Sequence, residues 1–352
     1  MSIPRSTRAI VATATVAVLS ACSGGSQFSP AGSQLGSQSQ SQQATTPQIP
    51  SIGALSEDAK SKKPVPLIFV SDSGSRVQAG AVYAYTDTGT NQAPVWTLNA
   101  SPLKYPNGLW VDGSDNLYVS DISGNVYEYD KPTASGPPTL SFTYSDAGYT
   151  PNHLAVCGDY LYASDLTDPS GGGAITVWKL GTSKPLRYVT QETYSEGVGD
   201  GISCNSKTGD VYFGYDTSYA GPGQVDQYAA GLTGNPTTLH TSPNYLAGLT
   251  FNKTYATFVV GDAYNGKGPA IEFWKPTGGA PVHSLFGSWI SSPTGFAYES
   301  TDKYLWDADE GTASVNKFLP SKGTVENTIT NAGNGKKLAV PNDVAVSPPD
   351  HS

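Results

Sequence analysis

The sequence predicts an all-β fold: a six-bladed β-propeller closed by pairing of its C-terminal strand with its N-terminal blade. Three observations lead there. A phrase made of a turn, a short apolar strand and an aromatic-rich strand ending in Asp recurs from Pro106, Pro151, Gly199, Leu246 and Pro293. Its opening returns at Pro341, so the starts lie 45 to 48 residues apart. A fixed period of that length with several short strands per unit is one propeller blade per repeat. Second, the apolar runs last four to six residues and are bounded by Gly, Pro, Asn and Asp, which marks strands and tight turns rather than helices. Third, 39 Gly and 21 Tyr suit turns and pleated surfaces.

The chain opens with a segment outside this pattern. Arg5 and Arg8 precede a short apolar stretch, Ala9 to Val18, and Leu19-Ser20-Ala21-Cys22 then reads as a bacterial lipobox. The stretch is too short to span a bilayer, so residues 1–22 are expected to be an export signal, cleaved so that a lipidated Cys22 becomes the N-terminus. An ordinary signal peptide with an incidental Cys is the alternative. Ser23 in place of Asp resembles lipoproteins sent on to the outer membrane of diderm bacteria. Residues 23–63, rich in Ser, Gly, Gln, Ala and Thr, bury too little apolar surface to offset their ordering entropy. They are expected to form a disordered tether spanning on the order of 35 Å root-mean-square. Residues 64–352 are then one propeller domain.

Blade 1 is composite. Leu67–Asp72 and Ala81–Tyr85 are later strands with no inner strand before them, and Pro341–Val346 is an inner strand with no later strands after it. Joining the fragments removes the edges that an open ring would leave. The clearest complete copy runs Pro106–Val111, Leu117–Asp121 and Val126–Tyr129. The copies from Pro151, Gly199, Leu246 and Pro293 supply the remaining blades.

Loss of the leader takes the formal charge from −9 to −11, since Arg5 and Arg8 go with it. An acidic surface argues against nucleic acid and against adhesion to anionic lipid, which leaves the lipid anchor as the only expected membrane contact. The domain is expected to be monomeric. Its cysteines, Cys157 and Cys204, lie near the ends of consecutive inner strands. They are either a disulfide, which an exported protein can keep, or two buried thiols.

If the start of strand one and the end of strand two share a face, the second residue of each copy lies at the channel mouth: Asn107, Asn152, Asp200, Ala247, Thr294 and Asn342. Of these, Asn107, Asn152, Asp200 and Asn342, or its neighbour Asp343, offer oxygens to a hard cation such as Ca²⁺, or to Zn²⁺. No other cofactor is indicated. Asp72, Asp121, Asp165, Asp216, Asp262 and Asp309 end the second strands, where one carboxylate per blade predicts acceptance of turn N–H groups. His153 is the candidate general base, or else a polar surface group. Tyr149, Tyr194 and Tyr219 either stack on a ligand or pack between blades. G-x-S-x-G, H-E-x-x-H, C-x-x-C and phosphate-loop motifs do not occur.

The phrase Pro106-Asn107-Gly108-Leu109-Trp110-Val111-Asp112, continued by Asn116-Leu117-Tyr118-Val119-Ser120-Asp121 and Asn125-Val126, resembles the NHL repeat, with that repeat's usual Arg missing. Pro151 and Pro341 open partial matches. The resemblance implies a six-bladed propeller that serves as a binding or assembly module. More distantly, the chain is similar to gluconolactonase-like propellers, whose channel-mouth metal is held by Glu, Asn and Asp. That likeness places the Asn at Asn107 or Asn152 and the Asp at Asp200, but Asn342-Asp343 stand where the Glu is expected. The expected function is therefore a cell-envelope lipoprotein that binds an unidentified protein, peptide or glycan at the channel mouth without catalysis. The alternative is a metal-dependent lactonase or esterase.

Overall fold

A computed structural model describes residues 66–349 apart from 76–78, 147, 191–193, 195–196, 218–221, 242–244 and 264–266. The leader 1–22 with Cys22, the tether 23–63, Tyr219 and His351 lie outside the described residues. All strands belong to the compact unit Lys62–Ser352.

Blade 1 contains β1 (Leu67–Asp72), β2 (Ala81–Thr86) and β3 (Trp96–Leu98). Blade 2 is β4 (Pro106–Val111), β5 (Leu117–Asp121), β6 (Asn125–Tyr129) and β7 (Leu140–Ser145). Blade 3 is β8 (Pro151–Cys157), β9 (Tyr160–Asp165), β10 (Ala174–Lys179) and β11 (Arg187–Val189). Blade 4 is β12 (Val198–Cys204), β13 (Val211–Asp216), β14 (Gly223–Ala229) and β15 (Thr233–Thr241). Blade 5 is β16 (Leu246–Phe251), β17 (Phe258–Asp262), β18 (Ala270–Trp274) and β19 (His283–Leu285). Blade 6 is β20 (Pro293–Tyr298), β21 (Leu305–Asp309), β22 (Ser314–Leu319) and β23 (Thr324–Ile329). After a small hairpin, β24 (Asn331–Gly333) and β25 (Lys336–Lys337), the chain returns as β26 (Pro341–Ser347). β26 is the innermost strand of blade 1, in the order β26-β1-β2-β3.

The ring closes where the sequence places it. β26 lies antiparallel to β1, with Ile68 opposite Val346, Phe69 opposite Ala345 and Val70 opposite Val344. Core clusters form between blades rather than within one. Phe69 and Val82 of blade 1 pack with Leu109 and Val119 of blade 2, while Tyr83 and Val344 meet Trp306 and Val315 of blade 6. Strands in the middle of a blade are therefore buried on both faces, as β1, β13 and β17 are along their whole length. Each fully buried large side chain is worth roughly 1.5–3 kcal/mol in transfer free energy. The outermost strands β7 and β11 stay largely open to solvent.

Two register features position the channel mouth. Asp121, Asp165, Asp262 and Asp309 each lie opposite the first residue of their blade's inner strand, as Asp72 lies opposite Pro341 and Asp216 opposite Val198. The two ends therefore share a face. Just beyond that pairing, the inner strand of every blade carries a bulge. The extra residue bends each strand and re-aims its side chains around the channel.

Candidate functional site

At the bulge, the third residues of the six repeat copies, counted from Gly199 in blade 4, form a ring: Asp343, Gly108, His153, Gly201, Gly248 and Gly295 in blade order. Four positions lack a side chain because neighbouring strands come too close. A methyl group on Gly108 would overlap the Asn152 carbonyl, and one on Gly295 would strike Asp343. Only His153 and Asp343 project side chains at this level, and they meet. His153 Nδ1 lies 3.3 Å from Asp343 Oδ2, and both residues are buried. Asp343 is held from two further sides, since Leu109 N–H donates to Oδ2 and Val344 N–H to Oδ1, each at 2.8 Å. A carboxylate facing Nδ1 favours a hydrogen on that nitrogen and leaves Nε2 as the ring atom that points away from the contact.

The second residues form a partly continuous chain. The Asn107 amide donates to Asn152 Oδ1, and Asn152 Nδ2 donates to the Gly199 carbonyl at 3.1 Å. Asp200 comes next. Tyr245 hydroxyl donates to its Oδ1 at 3.2 Å, while its Oδ2 accepts no hydrogen bond. Burial, reinforced by the nearby charge of Asp216, holds the Asp200 carboxyl well above the usual carboxylate range. Asn342 is on the same rim with a buried Nδ2 that has no acceptor, and Thr294 Oγ1 donates to the Ala308 carbonyl at 3.0 Å. Thus Asn107 and Asn152 are brought together, Asp200 follows one blade later, and Asn342 sits on the remaining side. Among the described residues, no three His, Cys, Asp or Glu side chains converge as a metal-binding group.

Below the rim, serines tie the first blades together. Ser71 Oγ accepts from Asp343 N–H at 3.0 Å and donates to the Asn107 carbonyl of blade 2. Ser120 Oγ accepts from Gly108 N–H at 2.6 Å and donates to the Asn152 carbonyl of blade 3. Ser164 accepts from His153 N–H at 3.1 Å. Blades 4 to 6 carry Tyr215, Gly261 and Ala308 at this place. The recurring Ser before the strand-ending Asp was the sequence signal for this stitch.

Several terminal Asp residues organise the turns. Asp121 accepts Lys104, Tyr105 and Ser123 N–H groups. Asp72 accepts those of Gly74, Ala339 and Val340, and Asp309 those of Ser291, Ser292 and Thr312. Asp216 instead reaches forward to Leu246 N–H of blade 5. Cys157 and Cys204 are free, buried thiols beside one another, and burial pushes the Cys204 thiol up. Tyr194 is fully buried and shares its hydroxyl with Asp226 and Tyr228, so it packs within the domain. Tyr149 stacks on Tyr188, with ring centroids 4.0 Å apart. The sequence reading did not single out Tyr105 or Phe286, which are 52% and 45% exposed. Both lie in links between one blade's outer strand and the next blade's inner strand, and hence on the mouth face. An apolar recess at the channel's other end is lined by Leu109, Val111, Phe296, Tyr298, Val344 and Val346.

No protein-family model matches the chain, and no curated protein matches it. Solved structures do: 1143 chains are similar, so the fold is widely shared and does not by itself carry a function. One is a chain from the crystal structure of a nidogen/laminin complex, with 16% identity and a TM-score of 0.59. The match covers 80% of this chain and 98% of that one. At that identity the likeness establishes architecture alone, and the chain is a six-bladed β-propeller.

Proposed function

We propose that this chain is a non-catalytic binding or scaffold propeller, anchored at the bacterial cell envelope through a lipid on Cys22, that takes a protein, peptide or glycan on its channel-mouth face. One observation carries the reading: most polar side chains of the mouth are spent on the ring itself, while exposed aromatics stand on the links around it. Asn107 and Asn152 are bonded onward around the ring, and Asp343 is held by Leu109, Val344 and His153. Tyr105 and Phe286 are open, and large aromatics on a rigid rim suit recognition of a partner's apolar or sugar surface. The NHL-like phrase of blade 2 supports the same reading at motif level. The similar propeller comes from an assembly named for two proteins, which fits a binding role.

The test uses the chain from Ser23 onward without lipid, probed on peptide and glycan arrays. Binding is expected to survive chelator and to fall at least about tenfold in Tyr105→Ala or Phe286→Ala, the loss typical of a buried aromatic anchor. A second reading draws support from the His153–Asp343 contact. It is a metal-dependent lactonase or esterase with Asn107, Asn152, Asp200 and Asn342 around Ca²⁺ or Zn²⁺ and His153 as base. Chelator-sensitive turnover of a lactone panel, abolished by Asp200→Ala, would replace the binding reading with this one.

A further inference from the structure

Outside the channel ring, at the junction of blades 2 and 3, two buried acids face one another. Asp146 follows β7, and Asp165 ends β9. Both are 0% exposed. Thr176 Oγ1 donates to Asp165 Oδ2 at 2.7 Å. Asp165 Oδ1 and both oxygens of Asp146 accept no hydrogen bond of ordinary geometry. The Asp146 carboxyl is directed at Asp165 and Thr176, and the ion pairs found among the described residues involve neither acid.

The surroundings hold these groups in place. Asp146 N–H donates to the Gly124 carbonyl of blade 2 at 3.0 Å. Thr150 and the segment after β9 exchange hydrogen bonds, Thr150 N–H to Thr167 O at 3.1 Å and Leu166 N–H to Thr150 O at 2.9 Å. Asp168 then opens the Gly-rich loop, its carboxylate occupied by Ser170 and Gly172 N–H groups. Burial, with smaller contributions from the charges of both nearby acids, disfavours ionisation of the stacked Tyr149 and Tyr188 phenols.

A buried carboxylate left without donors is costly. Asp146 and Asp165 together have three oxygens without an ordinary hydrogen bond. Burial holds both carboxyls above the usual range, and the charge of Asp146 adds to the rise at Asp165. A hard divalent ion that kept both ionised would match the pair in valence and donor type. Ca²⁺ fits best, because it takes oxygen ligands in irregular geometry and completes its shell with carbonyls and water. We propose that Asp146 and Asp165 form a Ca²⁺ site that clamps the junction of blades 2 and 3. The site shares no residue with the Asn107, Asn152, Asp200 and Asn342 set, and it does not depend on the binding reading.

The test titrates the chain from Ser23 onward with Ca²⁺ by calorimetry, and with Tb³⁺ by luminescence excited through Tyr149 and Tyr188. A saturable site with Kd of about 10⁻⁵ to 10⁻³ M is expected, in the range of sites with few carboxylates. Tb³⁺ emission should fall when Ca²⁺ is added and in Tyr149→Phe or Tyr188→Phe. Asp146→Asn is expected to weaken binding at least about tenfold, and an amide facing Asp165 supplies the missing donor and keeps the fold. Should that variant fail to fold, Ca²⁺ displacement of Tyr-sensitised Tb³⁺ in the parent, together with the two Tyr variants, decides the matter. The proposal is overturned if Ca²⁺ neither raises the melting temperature nor displaces Tb³⁺. It is equally overturned if Asp200→Ala abolishes binding while Asp146→Asn leaves it unchanged. Shared protonation of the pair would give that first result, with Asp146→Asn stabilising the protein regardless of Ca²⁺.

Discussion

His153 Nδ1 and Asp343 Oδ2 lie 3.3 Å apart although they belong to blades 3 and 1, and Gly108 of the intervening blade is what lets them meet. Its missing side chain allows β4 and β8 to close up, and the next residue, Leu109, donates its N–H to the same Asp343 oxygen. Gly108→Ala should therefore push the strands apart and cost about 1–3 kcal/mol, as overpacking commonly does. Urea denaturation measures the loss, and NMR of the His153 ring reports whether the contact survives. An Ala variant with parental stability and an unchanged His153 signal would contradict this account.

Closure by β26 makes a second prediction. Deleting residues 341–352 removes the inner strand of blade 1 and bares the edge of β1 along Leu67–Asp72. The truncated protein should aggregate or lose its cooperative thermal transition. Size-exclusion chromatography and a circular-dichroism melt are sufficient, and a parental melting temperature would refute it.

The serine stitches predict a graded effect. Ser120→Ala leaves the Gly108 N–H and the Asn152 carbonyl without their shared partner in a buried place. A loss of about 1–3 kcal/mol is expected for such orphaned groups. Ser71→Ala should behave alike, for Asp343 N–H and the Asn107 carbonyl. Chemical denaturation of each variant checks the pair.

The pH dependence follows from Asp200 and Asp216. Burial raises both carboxyls, Asp216 to about 7, and the charge of Asp216 adds to the rise at Asp200. Such a group binds its proton more tightly when folded. Its stabilisation is present at low pH and is lost as pH climbs from the unfolded value of about 4 through the folded one. Asp200→Asn should therefore match the parent near the bottom of that window and become the more stable protein above it. His240 has the opposite sign. Burial against Trp274 lowers its pKa to about 4, so its contribution is lost as pH falls through that value. Melting temperatures across the range, for parent, Asp200→Asn and His240→Phe, separate the two limbs.

Cys22→Ser should abolish fatty-acid labelling and release the protein from the membrane fraction. A variant that still fractionates with membranes would remove the lipid anchor from the proposed function.

The blades were legible because their period, their strand lengths and the Asp after each second strand repeat, and repetition survives ignorance of everything else. What the mouth does with its residues was less legible. Asn107, Asn152 and Asp200 were placed on the rim by counting, yet their partners depend on bulges and on how closely adjacent strands approach. Gly108, Gly201, Gly248 and Gly295 at one repeat position were the available sign of that approach. Ser71, Ser120 and Ser164 likewise shared a position, but a hydroxyl's partner in another blade cannot be read from spacing. Asp146 left no sign at all. It sits in a link with no counterpart in the repeat, and only the folded junction brings it to Asp165.

The order of the strands along the chain also governs biosynthesis. Among the described residues, blade 1 begins with almost the first to leave the ribosome and is finished by almost the last, since Ile68 waits for Val346. Until then, five blades can stack while β1 offers an unpaired edge and the channel ring lacks Asp343. His153 therefore acquires its carboxylate partner only with the closing strand. A nascent or truncated chain has a polar mouth different from that of the finished protein, and any ligand that needs the complete ring cannot bind before synthesis has passed Ser347.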